Sequence, residues 1–353
     1  MAPAGDVRYE SERKGLIRHA IPGSLMLRRV LVLTGLAAMI AACGDDATSD
    51  DGGATADTGA TETDAGGESD AAAIDTGDDA TEDAGPTVTA PDPQPYSEGE
   101  CPTLTDGTND IRSAGMDRQV VVYLPAEPEG AGLAFLWHGL GDSTSNFARA
   151  FGAQTMADTY DVIVVLPRIT GNYAFGWPFL SSDDATPDLT LFDDVVACAD
   201  ATWDIDNTRV FTTGFSAGAL MSTRLLLDRS EYLASVVTFS GGTGVPLRED
   251  LDPIITGYKT PASTIPVLAI HGGETDSVTA VAAFMEMTLD MNDHLREDGH
   301  LVIECDHGRG HTVPFDPYAW ALPFLFSHVI GVESPYVGDP LDSPWPSYCE
   351  MLD

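Results

Sequence analysis

Short apolar runs alternate with longer mixed stretches from about residue 119 onward. The apolar, often β-branched runs that predict strands are 119–124, 133–137, 162–166, 209–213, 234–239, 265–270 and 301–304. Helix-length stretches lie between or after them, at 146–157, 191–203, 217–227, 279–297 and 318–329. Strands that alternate with helices predict βαβ units, and continuous apolar strands predict burial on both faces. We therefore expect an α/β fold with a mostly parallel sheet and helices on both faces.

The N-terminal pattern is different and predicts an export signal. Met26 opens a short basic segment, and residues 30–42 form an apolar run of thirteen. A bilayer-spanning helix needs about 20 residues, so this run fits the apolar core of a signal peptide. The sequence IAACG at 40–44 resembles a bacterial lipobox, in which the cysteine, here Cys43, is lipidated. We assign residues 1–43 to this region, with Met26 as a candidate start; an ordinary secretory signal or a buried helix is the alternative.

Residues 44–100 have the composition of a linker. They carry seventeen acidic residues and no Lys or Arg, and Tyr96 is their single aromatic residue. Such a segment buries too little apolar surface to offset its chain entropy, so we expect a disordered acidic linker that repulsion extends. It suits a domain held away from a membrane, with a merely solubilising spacer as the alternative. The folded domain is assigned to residues 101–353.

Net charge restricts the partners of the chain. It has 17 Lys+Arg against 56 Asp+Glu, a formal net charge of −39. This charge repels nucleic-acid phosphates and anionic lipid headgroups. We expect no nucleic-acid partner, and we expect a membrane to be reached through the lipid anchor alone. The predicted location is therefore extracytoplasmic, anchored to a bacterial membrane.

Cysteine use agrees with export. Four cysteines follow the lipobox, namely Cys101, Cys198, Cys305 and Cys349. An even number in an exported domain predicts two disulfides, and three pairings are open. Their spacing does not match a zinc site, so no metal is predicted. Free buried thiols are the alternative.

A pentapeptide in the middle of the domain predicts a nucleophile. Residues 214–218 read Gly-Phe-Ser-Ala-Gly, directly after the strand 209–213 and directly before the helix 217–227. This strand–turn–helix order is the context of a nucleophile elbow, whose glycines allow a strained turn and close backbone approach. Ser216 is the predicted nucleophile, and a glycine-rich connection without chemistry is the alternative.

A serine hydroxyl needs a base, and the base needs an orienting acid. In this arrangement the acid and then the histidine follow the serine along the chain. Asp276 lies just beyond the strand 265–270 and is preferred over its neighbour Glu274. His311 lies in a loop after the last predicted strand and is preferred over His307, which is nearer that strand.

Two backbone N–H groups are needed to stabilise a developing oxyanion. One is assigned to Ala217, the residue after the nucleophile. The other is assigned to Leu140, with Gly141 as the next candidate, in the loop that follows the strand 133–137. His138 in the same loop is interpreted as a structural brace.

Aromatic residues of the segment 173–179 are the candidate substrate contacts. Tyr173, Phe175 and Trp177 alternate in this segment, and aromatic rings stack on aryl groups or cover aliphatic chains. They are predicted to form the acyl or aryl wall of a pocket. Packing of the segment on the core is the alternative.

Four motifs in order carry a resemblance to a known fold. They are WHGLG at 137–141, GFSAG at 214–218, HGGETD at 271–276 and GRGHTVP at 308–314. This set resembles the α/β-hydrolase fold. Within it, residues 204–210 and the surroundings of His311 resemble the polyhydroxybutyrate depolymerase and feruloyl/acetylxylan esterase group of secreted serine esterases. One departure is that HGGETD is one residue longer than the HG-x-x-D spacing of that group.

The resemblance implies hydrolysis of carboxylic esters of the polyhydroxyalkanoate, feruloyl or acetyl-polysaccharide type. Ser216, His311 and Asp276 would act as nucleophile, base and orienting acid, through an acyl-enzyme and without a cofactor. Two other classes stay open. One is a peptidase of the same fold that acts on short peptides, and the other is a non-catalytic, lipid-anchored binding protein.

Overall fold

A computed structural model of the 353-residue chain describes residues 89–171, 177–180, 186–244, 257–278, 282–314 and 316–353. The predicted signal peptide, Cys43 and most of the acidic linker lie outside the described residues. Ser97 already belongs to the folded domain, because its backbone N–H and hydroxyl both donate to Asp194, at 2.7 and 2.8 Å. Contacts with the domain therefore begin upstream of Cys101.

One sheet organises the described residues. Its strands are β1 (Gly107–Ser113), β2 (Met116–Tyr123), β3 (Gly132–Trp137), β4 (Val162–Pro167), β5 (Val210–Phe215), β6 (Ser235–Phe239), β7 (Val267–His271), β10 (Val302–Asp306) and β11 (Cys349–Leu352). Their spatial order is β1-β2-β4-β3-β5-β6-β7-β10-β11. The six central strands from β4 to β10 are parallel, whereas β1, β2 and β11 pair antiparallel at the edges. A separate hairpin comprises β8 (Ser277–Val278) and β9 (Ala282–Ala283).

Helices cover both faces of this sheet. They are α1 (Thr144–Ala150), α2 (Ala153–Tyr160), α3 (Thr186–Trp203), α4 (Ala217–Arg229), α5 (Phe284–Glu297) and α6 (Ala321–Phe326). Successive side chains of β3 point to opposite faces, so Phe135 joins the cluster with α3, α4 and α5, whereas Leu136 joins the cluster with α1, α2 and α6. The predicted mostly parallel sheet with helices on both faces is confirmed. None of the described helices is long and apolar enough to cross a membrane.

The elements differ from the sequence prediction mainly at the edges. The stretch predicted as one helix at 146–157 is two helices, because Gly152 adopts a left-handed conformation (φ 58°) between them. The predicted helix at 318–329 is shortened to α6. The edge strand β1 was not predicted, since its sequence GTNDIRS is rich in residues that disfavour strands. It forms by pairing along its whole length with β2.

Two disulfides, Cys101–Cys198 and Cys305–Cys349, resolve the open pairing and confirm that prediction. The first joins the start of the domain to α3. The second joins β10 to β11, where Cys305 and Cys349 are register partners. The C-terminal strand β11 is thereby fixed beside β10, the strand that leads to His311.

Removing the Cys101–Cys198 disulfide should lower stability more than removing Cys305–Cys349. The first closes a sequence separation of 97 residues and the second one of 44. Loop-closure entropy predicts losses of about 2–4 kcal/mol for either, larger for the longer loop. The measurement is urea unfolding of the two double Cys→Ala variants without reductant. A midpoint unchanged by loss of Cys101–Cys198 would contradict the expectation.

Candidate active site

Ser216 occupies the turn between β5 and α4. Its backbone has φ 56° and ψ −119°, a conformation that non-glycine residues rarely adopt. The turn is held because the N–H of Ser216 donates to the carbonyl of Phe239 (2.9 Å) and its carbonyl accepts from Leu220 (3.0 Å). The hydroxyl is thereby presented at the carboxyl edge of the parallel strands, where ligands bind in open α/β sheets.

The two glycines of the pentapeptide are required by close backbone packing. A Cβ added to Gly218 would lie 1.8 Å from the carbonyl oxygen of Trp137. A Cβ added to Gly214 would lie 2.7 Å from the same oxygen and 2.4 Å from the carbonyl carbon of Gly218. Any larger residue would push α4 away from β3. The motif therefore sets how closely the nucleophile approaches the loop that follows β3.

The structure brings Ser216, His311 and Asp276 together. Nε2 of His311 lies 2.9 Å from Oγ of Ser216, and its Nδ1 lies 2.7 Å from Oδ1 of Asp276. The imidazole is stacked between the rings of Phe215 and Phe284, at centroid distances of 4.8 and 4.6 Å. Both phenylalanines restrict the ring plane, so that its two nitrogens face the hydroxyl and the carboxylate. Phe284 was not singled out from the sequence.

The two rival residues lie elsewhere. Glu274 is exposed on the turn that precedes Asp276. His307 accepts a hydrogen bond from the N–H of Arg309 (3.3 Å) and packs edge-on against Tyr348. The extra residue of HGGETD is accommodated by a 3₁₀ turn over Gly273–Thr275. This turn returns Asp276 to the interior, where it is buried beneath His311.

The carboxylate of Asp276 is held by three donors. Oδ1 accepts from Nδ1 of His311, and Oδ2 accepts from the N–H of Gly272 and the hydroxyl of Ser240, both at 2.8 Å. Burial raises the pKa of Asp276, but the hydrogen bonds from His311, Gly272 and Ser240 outweigh it, and the net pKa is lowered. The ionised carboxylate fixes the Nδ1–H tautomer. Nε2 is then free to accept the proton of Ser216.

Ser240 is a residue of the site that sequence reasoning missed. It follows β6 directly and has a positive φ of 58°, which aims its hydroxyl at Asp276. A polar residue at the carboxyl end of a parallel strand was the available signal. It was overlooked because an Asp-to-Ser contact spans 36 residues and no local motif marks it.

Replacing Ser240 with Ala should lower the hydrolytic activity without abolishing it. Loss of one donor raises the pKa of Asp276. As the pH falls, the variant should therefore lose activity at a higher pH than the wild type does. We expect kcat to fall about tenfold, as for a lost hydrogen bond of about 1.4 kcal/mol to a charged group. The measurement is the pH dependence of kcat for p-nitrophenyl butyrate.

Ser235→Ala is the matched control for this prediction. Ser235 is a buried serine at the start of β6, the strand that Ser240 follows, and its hydroxyl donates to the carbonyl of Leu325 (2.7 Å), away from Asp276. It should lower stability by a similar amount and leave the pH profile unchanged. Equal profiles for Ser240→Ala and the wild type would show that Ser240 does not act through Asp276.

The loop after β3 lies beside the nucleophile. A Cβ added to Gly139 would lie 3.5 Å from Cβ of Ser216, so the next residue, Leu140, is close to the reacting position. Ala217 is the first residue of α4, and N–H groups of a first helical turn lack partners within the helix. The assignment of Leu140 and Ala217 to an oxyanion hole stays a prediction.

His138 has the geometry of a brace. Its Nδ1 lies 2.9 Å from the carbonyl oxygen of Gly139, so Nδ1 carries the proton. Burial lowers the pKa of His138, which keeps the ring neutral. The ring packs at 5.0 Å from that of Trp177.

Trp177 lies in the core and not on a pocket wall. Its side chain is 0% exposed and its ring meets that of Trp137 edge-on at 5.6 Å. This corresponds to the alternative that the segment packs on the core. The prediction that the Trp177 ring contacts the substrate directly is therefore wrong. Tyr173 and Phe175 lie outside the described residues.

The loops that carry the acid and the base are joined to each other. The N–H of Gly310 donates to the carbonyl of Gly272 (2.8 Å), and a Cβ on Gly272 would lie 1.9 Å from the carbonyl oxygen of Gly310. His271 holds its own turn by accepting from the N–H of Gly273 (3.2 Å). This close packing sets the distance between Asp276 and His311.

Comparison with known proteins agrees with this architecture. A family model described as phospholipase/carboxylesterase matches residues 190–306, a range that contains Ser216 and Asp276 and ends before His311. The crystal structure titled sOPH native covers 72% of this chain and 97% of its own, with a TM-score of 0.57 and 21% identity. The chain therefore has the α/β-hydrolase fold.

Curated relatives are named as esterases and related hydrolases. NocK of Nocardia uniformis subsp. tsuyamanensis, named as an esterase, is 31% identical over 153 residues, which are 42% of this chain and 41% of NocK. The oxidized polyvinyl alcohol hydrolase of Sphingopyxis is 26% identical over 42% of this chain and 50% of its own. The chain thus spans half or less of these two relatives. A feruloyl esterase C of Aspergillus terreus is 25% identical over 69% of this chain and 83% of its own. The resemblance to α/β-hydrolase esterases is confirmed.

Proposed function

We propose that this chain, which has the α/β-hydrolase fold, hydrolyses carboxylic esters through a Ser216–His311–Asp276 triad. The observation that carries the proposal is the continuous hydrogen-bonded path of 2.9 and 2.7 Å from the hydroxyl through the imidazole to the carboxylate. These are the distances that nucleophile, base and orienting acid need for proton transfer. The path lies at the carboxyl edge of the sheet.

The first half of the reaction forms an acyl-enzyme. Oγ of Ser216 attacks the ester carbonyl carbon while Nε2 of His311 takes the hydroxyl proton. The negative charge that develops on the carbonyl oxygen is stabilised by the N–H groups of Ala217 and Leu140. His311 then gives its proton to the leaving alcohol oxygen, and the ester C–O bond breaks. Asp276 stabilises the imidazolium throughout.

The second half releases the acid. His311 takes a proton from a water molecule, which attacks the acyl carbon. The same two N–H groups stabilise the second tetrahedral intermediate. Its collapse breaks the bond to Oγ of Ser216, and His311 returns the proton to this oxygen. Atoms and charges are restored without a metal or cofactor.

Feruloyl esters are the substrate class that we favour within the predicted group. The support is the similarity to a feruloyl esterase over 69% of the chain. Methyl ferulate, acetylated xylan and hydroxybutyrate oligomers, each assayed at the same enzyme concentration, separate the three predicted types. A preference for either of the other two would redirect the substrate assignment while leaving the ester chemistry intact.

A fluorophosphonate probe tests the reaction class. An activated serine should be phosphonylated, whereas a non-catalytic binding protein should remain unlabelled. Matched p-nitrophenyl esters and peptidyl p-nitroanilides then separate an esterase from a peptidase. Absence of labelling, or turnover of the anilides alone, would refute the esterase proposal.

We also propose that a lipid anchor at Cys43 holds the enzyme at a membrane, outside the cytoplasm. The lipobox-like sequence at 40–44 supports the anchor, and two disulfides support an oxidising compartment. Replacing Cys43 with Ser should abolish incorporation of labelled palmitate and move the protein from the membrane to the soluble fraction. Palmitate incorporation that persists in Cys43→Ser would contradict the anchor.

A further inference from the structure

A cavity opens at the same sheet edge as Ser216. It has a volume of about 550 Å³ and is lined by β1, β2 and the residues that follow β4. Register pairs Val165 with Phe135 and Phe135 with Thr212, so Arg168 is level with Phe215, the residue before the nucleophile. β3 lies between β4 and β5, and the Arg168 guanidinium is turned toward Gln119 of β2, on the other side of β4. Its separation from the nucleophile is therefore two to three strand spacings, or about 10–14 Å. A substrate bound at Ser216 would have to extend over β3 and β4 to reach this cavity.

Three arginines line the cavity, and two of them are neutralised. Arg112 forms ion pairs with Asp117 (2.9 Å) and Glu98 (3.5 Å). Arg118, whose side chain is fully buried, pairs with Asp188 at 2.9 Å. The charges of these two guanidinium groups are balanced locally by carboxylates.

Arg168 is different because it forms no ion pair with a carboxylate of the described residues, although Asp110 and Asp117 line the same cavity. Its Nη1 donates to the amide oxygen of Gln119 (3.1 Å), and its Nε is buried without a hydrogen-bond partner in that part of the chain. Asp110 also lines the cavity, but its carboxylate accepts from the amide of Gln119. A partly buried, unbalanced guanidinium is costly unless an anion binds to it.

We propose that Arg168 binds a carboxylate of the substrate, at roughly two to three strand spacings, or about 10–14 Å, from the scissile ester. This inference rests on the proposed esterase function and adds a specificity-determining residue to it. A guanidinium presents paired N–H donors that match a carboxylate. The neighbouring Ile169 is 45% exposed at the cavity rim, where it can contact an apolar chain between the ester and the acid. The substrate class is an ester that carries a remote carboxylate.

The test compares acid-ended and neutral esters of equal length. On the acyl side, the pair is the p-nitrophenyl monoester of sebacic acid and p-nitrophenyl decanoate. On the alcohol side, the pair is the acetate ester of ω-hydroxydecanoic acid and decyl acetate, followed by proton release. The two pairs reveal whether the acyl or the alcohol part of the substrate extends toward Arg168.

Arg168→Gln should lower kcat/KM about tenfold for the acid-ended ester of at least one pair and leave the neutral esters within about twofold, as for one lost charge-assisted hydrogen bond. Arg168→Lys should retain part of the preference. Arg149→Gln is the control, because Arg149 is an exposed arginine at the end of α1. Its replacement removes the same charge at a position away from the cavity. It should leave the acid-to-neutral ratio unchanged.

The failure of this inference is distinct from that of the proposed function. If the wild type hydrolyses the neutral esters but Arg168→Gln leaves both acid-to-neutral ratios unchanged, Arg168 binds no carboxylate and the inference is overturned. An equal loss on acid-ended and neutral esters would also overturn it. If the wild type hydrolyses none of the four esters, the esterase proposal fails, and the inference with it.

Discussion

Replacing Ser216 with Ala should reduce kcat for p-nitrophenyl butyrate by about 10⁵- to 10⁶-fold, as for the nucleophile of other triads. The alanine variant lacks the oxygen that forms the acyl-enzyme, and His311 then has no hydroxyl proton to take. A loss of this size corresponds to about 7–8 kcal/mol of transition-state stabilisation. The same variant should lose fluorophosphonate labelling. The measurement is initial rate at saturating ester, with circular dichroism to verify the fold.

Ser347→Ala is the control for this prediction. Ser347 is an exposed serine near the C-terminus, and its replacement should affect neither turnover nor labelling. Retention of turnover in Ser216→Ala would show that another residue supplies the nucleophile. The esterase mechanism proposed for this site would then be wrong.

Replacing Asp276 with Asn should lower kcat by about 10⁴-fold while the fold is preserved. The amide has almost the same shape, and its oxygen can still accept from Ser240 and Gly272. Its NH₂ group then faces Nδ1 of His311 and favours the tautomer with the proton on Nε2. That tautomer cannot accept the proton of Ser216. The measurement is kcat together with the unfolding midpoint.

Glu274→Gln distinguishes the two acid candidates. Glu274 is exposed and lies two residues from Asp276, so this variant changes the local charge by the same amount. We expect turnover close to that of the wild type. A loss of turnover in Glu274→Gln comparable to that in Asp276→Asn would show that the orienting role had been assigned to the wrong carboxylate.

The fold was largely predictable because the central strands are buried on both faces. β3, β4, β6 and β7 are buried at every position, so each appears in the sequence as a short, mostly apolar run. Edge strands lack this pattern. β1 and β11 depend on pairing with β2 and β10, and β11 is also joined to its neighbour by Cys305–Cys349. Short-range sequence patterns do not contain that information.

The site was predictable where its chemistry imposes a local motif. Gly214 and Gly218 are needed because backbone atoms pass too close for a Cβ, so the elbow leaves a mark on the sequence. Ser240 and Phe284 act on Asp276 and His311 from distant elements, and each is a common residue in an unremarkable local context. Trp177 was misjudged because an aromatic-rich segment has the same composition whether it lines a pocket or packs on the core.

The sequence by itself determined the α/β architecture, the elbow around Ser216, and the order of serine, acid and base along the chain. These properties follow from burial and from local backbone geometry, which depend on residues close together in sequence. Only the tertiary structure decided the disulfide pairing, the hydrogen bond from Ser240 to Asp276, and the position of Arg168 at the same sheet edge as Ser216. The last two depend on which strand ends meet at one edge of the sheet, and the Cys101–Cys198 pairing depends on where α3 packs against the start of the domain. Folding alone brings these residues together.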